Sequence, residues 1–112
     1  MEHLPKPVKN QLANLVRLAH EAALRQALSK LGDHSAQWQR GEIDSFQLAD
    51  RIHEFHDGPN REIYKQFTYT GIANLPMLAA FGIAKGLINA TTVPKEVLPY
   101  IETCLSFYRQ QL

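Results

Sequence analysis

The residues with the chemistry to make a site are concentrated in one stretch, 51-RIHEFHDGPNREIY-64. There His53, His56 and Asp57 surround Glu54 just before a Gly58-Pro59 pair. Imidazole and carboxylate groups spaced i,i+3 or i,i+4 on a helix can reach one metal ion, and His53/His56 and His53/Asp57 have that spacing. At ~100° per residue, counted from Leu48, His56 falls near ~80°, His53 near ~140° and Asp57 near ~180°, while Glu54 at about −120° points away. The three share one flank beside the stripe formed by Leu48, Ile52 and Phe55.

A catalytic metal needs a third ligand. His20 is the candidate, because on the first helix it lies at about 80° from Leu12, inside the apolar sector, and an inward ring must find a partner. His20, His53, His56 and Asp57 therefore form a candidate set for a divalent metal, in a small metal- or phosphate-binding helical hydrolase. Known patterns are incomplete here. HEFHD is one residue short of the two-histidine zinc-protease helix, in which the second histidine follows by four. Glu54 and Asp57 supply the E-x-x-D half of the all-α nucleotide pyrophosphohydrolase pattern. The E-x-x-E half is missing, since Glu21 has Leu18 and Leu24 at the three-residue offsets.

The residue types fit a simpler job better. Histidines near a helix C-terminus interact favourably with its dipole and free carbonyls. Asp57 or Asn60 can cap a following helix across the Gly-Pro break, with Arg61 and Glu62 in its first turn.

The elements that would position these groups are helical throughout, because apolar residues recur at spacings of three and four and sustained alternation is absent. After an extended lead over 1–6, with Pro7 in the first turn, residues 8–31 read as one helix of ~36 Å that Gly32 ends. Its stripe is Val8, Leu12, Leu15, Ala19 and Ala22, and Leu24, Leu28 and Leu31 continue on an adjoining face. A short helical turn over 36–40 ends at Gly41. The helix over 43–55 has the clearest start, with Asp44 and Gln47 as a capping box and Ile43 and Leu48 as a staple. Gly58-Pro59 breaks it, and 60–70 begins again, with Ile63 and Phe67 inward and Gly71 closing.

Residues 74–88 carry one charge, Lys85, and are apolar or small on nearly every side. Such a helix lies inside a bundle or is shared with a second chain. Gly82 and Gly86, one turn apart, suggest close helix approach. Pro94 can open a last helix, with a kink or fresh start at Pro99. Its face is Val97, Ile101, Cys104, Leu105, Tyr108 and Leu112, in which Cys104 reads as an inert core thiol.

The 112 residues fit one domain, and 45% hydrophobic with 21% charged residues is ordinary globular usage. A net charge of +1, from 12 basic and 11 acidic residues, gives nucleic acid no support. The single cysteine precludes an internal disulfide and suits a reducing compartment. No apolar run is long enough for a membrane span, and the N-terminus lacks the apolar core of a signal peptide.

The sequence thus predicts a single all-α domain over 1–112, a bundle of four main helices plus one or two short ones. It predicts a cytoplasmic protein that binds protein rather than performs catalysis, self-associating through the apolar helix as a homodimer or binding another protein. The interface candidates are Trp38, Met77, Phe81, Gly82 and Gly86, and no resident cofactor is expected outside the divalent-metal alternative.

Overall fold

Two prolines open the first helix without costing it a bond. The Lys9 amide donates to the Pro5 carbonyl at 2.9 Å, and Pro7 occupies the first turn, where no amide donor is required. In the computed structural model, which describes residues 4–68 and 74–111, helix α1 spans Lys6–Gln39. It passes through Gly32, where the sequence predicts a stop. A glycine inside a helix costs only about 1 kcal/mol against alanine, and Gly32 does not take the left-handed backbone that ends a helix. The expected separate turn over 36–40 is therefore the end of α1. The stop is Gly41 at φ 78°. There the Glu42 amide donates to the Gln37 carbonyl at 2.9 Å and the Gly41 amide to the Trp38 carbonyl at 3.0 Å, the two bonds of a Schellman motif.

Helix α2 spans Ser45–Phe55 and begins as its sequence predicts. The Gln47 amide donates to Asp44 Oδ1, and the Asp44 amide donates to Gln47 Oε1, both at 2.8 Å. Gly58-Pro59 does not break the chain direction. A π-helical turn over His56–Asn60 joins α2 to α3, Arg61–Thr68. Proline lacks an amide donor and its ring collides with the carbonyl four residues back, and a wider turn relieves both at once. The expected closure at Gly71 lies outside the described residues.

Helix α4 spans Leu75–Ala84 and is shorter than the predicted 74–88. A second Schellman motif ends it: Gly86 has φ 75°, and the Leu87 amide donates to the Gly82 carbonyl at 2.8 Å and the Gly86 amide to the Ile83 carbonyl at 3.1 Å. Short 3-10 turns follow over Ala90–Thr92 and Lys95–Val97. Helix α5, Leu98–Gln111, starts afresh just before Pro99, which stands in a first turn where its missing donor costs nothing. Pro94 opens the preceding 3-10 turn rather than α5 itself.

The fold is all-α, with no strand among the described residues, and none of their helices is long and apolar enough to cross a membrane. Its contacts gather into two compact units: Met1–Ala22 with Thr70–Leu112, and Ala23–Tyr69.

The first unit holds a closed core. Val8, Leu12, Leu15, Val16 and Ala19 of α1 are buried, as are Leu75, Leu78, Ala79, Ala80 and Ile83 of α4, Ile88 and Val97, and Ile101 and Leu105 of α5. At the end of the α4/α5 contact the Phe81 and Tyr108 rings meet edge to face, 5.6 Å apart, and the Lys85 ammonium sits 6.0 Å from the Phe81 ring centre. The predicted face of α5 is present, with Cys104 and Tyr108 half-buried; Leu112 lies outside the described residues.

The second unit is open by comparison. Phe67 is its one buried hydrophobic residue among those described. The predicted stripe of Leu48, Ile52 and Phe55 is not buried: α2 contains no buried residue, and Ile52 is 49% exposed. Leu28, on the adjoining face predicted for the first helix, is 50% exposed. The three- and four-residue spacing holds, but Leu48 and Ile52 face a groove rather than a core.

Candidate functional site

The histidine segment takes its geometry from the end of α2 and the π turn. His53 lies in the last turn of α2, and the His56 amide donates back to the carbonyls of Ile52 and His53. The π turn carries Asp57 round so that its Oδ2 lies 3.2 Å from His53 Nε2, with the two side chains 51% and 80% exposed. An exposed pair of this kind is worth at most a fraction of a kcal/mol. Asp57 is thus engaged with His53 inside a continuous helical run, and does not start a new helix across a break. His56 is exposed. His20 belongs to the other unit, where it is half-buried and has an interaction of its own. Among the described residues no group of three or more His, Cys, Asp or Glu side chains is placed to hold a metal ion.

The predicted interface residues divide. Gly82 is buried because its own unit approaches it: a Cβ there would stand 2.7 Å from the Ala19 Cβ and 2.9 Å from Ile88 Cδ1. Gly86 is needed for the left-handed exit of α4. Gly82 is therefore enclosed within its own unit, while Gly86 is exposed at the end of α4. Phe81 is half-buried against Tyr108, and Met77 is exposed. Trp38 is exposed, and its indole Nε1–H donates to Ser45 Oγ at 3.0 Å, tying the end of α1 to the start of α2.

That bond locates the site that the sequence alone did not reveal. The last part of α1, the loop 40–44 and α2 form a helical hairpin. Arg40 and Glu42 in the loop are bound side chain to side chain, Nε to Oε2 at 2.5 Å and a second guanidinium nitrogen to Oε1 at 3.3 Å. This hydrogen bond, with the attraction of opposite charges behind it, holds the Glu42 carboxyl below its usual range and raises Arg40. Along the hairpin runs a shallow groove of about 320 Å³, lined by Leu28, Leu31, Gly32 and Ser35 from α1 and by Leu48 and Ile52 from α2. Gly32 contributes an open floor, with no atom within 4 Å of where its Cβ would stand. Among the described residues that line it, Ser35 is the one polar side chain and none is titratable. Such a surface accepts apolar side chains.

No protein-family profile, no curated protein and no solved structure matches the chain.

Proposed function

We propose that this chain is a protein-interaction module without catalytic activity, working in the cytoplasm as a homodimer. The observation that carries this reading is the set of large apolar side chains left open in the unit Ala23–Tyr69. Leu28, Trp38, Phe46, Ile52 and Tyr64 are all exposed, Phe46 by 83%. Single exposed hydrophobic residues are ordinary, but Leu28 and Ile52 line one apolar groove from two helices, and a contiguous apolar surface of that kind marks a binding surface. Trp38 fits the same role, since tryptophan is favoured at the centres of interfaces. The groove's lining supports binding over chemistry, and the lone Cys104 suits a reducing compartment. Light scattering over a range of concentrations tests the reading. A rise from monomer to dimer mass in the micromolar range is expected, and a constant monomer mass up to about 1 mM contradicts it.

A further inference from the structure

We draw no further inference here: the strongest candidate, the apolar groove that Leu28, Leu31, Leu48 and Ile52 line between the end of α1 and α2, belongs to the surface already described, and nothing in the structure shows what covers it.

Discussion

Two identical substitutions at helical glycines should move stability in opposite directions. Gly32→Ala adds a methyl into open space on α1, where nothing lies within 4 Å. It should stabilise the chain by about 1 kcal/mol, the propensity difference between the two residues. Gly82→Ala gains the same propensity, but its methyl would stand 2.7 Å from the Ala19 Cβ. That atom is fixed to the α1 backbone and cannot rotate away. Ile88 Cδ1 at 2.9 Å can swing, though Cγ1 at 3.4 Å limits how far. Overpacking of this kind costs about 1–3 kcal/mol, so the net effect is a loss of about 1 kcal/mol, and the two variants differ by about 2 kcal/mol. At roughly 4 °C per kcal/mol for a chain of this length, their unfolding midpoints should lie about 8 °C apart. Circular dichroism at the helix band measures this. Ala19→Gly in the Gly82→Ala background should recover part of the loss, and the coupling in that double-mutant cycle reports the contact itself. If Gly82→Ala stabilises as much as Gly32→Ala, Ala19 and Gly82 do not touch, and the internal burial of α4 is wrong.

Three more outcomes test the local structure. Asp44→Ala removes one half of the capping box and should cost about 1 kcal/mol, with faster amide exchange in the first turn of α2; unchanged protection there refutes the cap. Gly86→Ala places a side chain at φ 75° and should cost about 1 kcal/mol, read as a lower urea midpoint with an unchanged slope. The Glu42 carboxyl is held below its usual range by Arg40. Its stabilising effect is therefore present above the ordinary carboxylate pKa and is lost as pH falls through the lower folded value. The stability gap between the native chain and Glu42→Gln, small because the pair is exposed, should close over that acidic interval. A gap that persists below it assigns the effect to something other than the ion pair.

Periodicity and caps made much of the architecture readable before the structure. Asp44 with Gln47, the glycine stop at Gly41 and the fresh start before Pro99 depend on two or three adjacent residues, and local rules act at that range. At Gly32 and Pro59 the local rule competes with the surrounding helix and loses. A single glycine is too weak a penalty to end a helix of this length, and a π turn absorbs the proline without a break. The continuity of α1 through Gly32 also makes the candidate site. With a stop there, Leu24, Leu28 and Leu31 are the tail of a core stripe. With the helix continuous, Ser35 and Trp38 extend them into a seam that faces Leu48 and Ile52. The all-apolar surface of α4 allows burial inside its own bundle or sharing with a second chain, and composition alone cannot distinguish these; at Gly82, close approach by Ala19 and Ile88 supplies the burial within its own unit. Of the three residues read on one flank, His53 and Asp57 meet at 3.2 Å.

The central claim is that the open unit meets a second copy of the chain. Sedimentation equilibrium of the full-length protein from about 1 μM to about 1 mM measures that most directly. The account predicts a reversible monomer–dimer equilibrium with its midpoint in the micromolar range, shifted to higher concentration by Leu28→Glu. A single monomeric species across the whole range would contradict it.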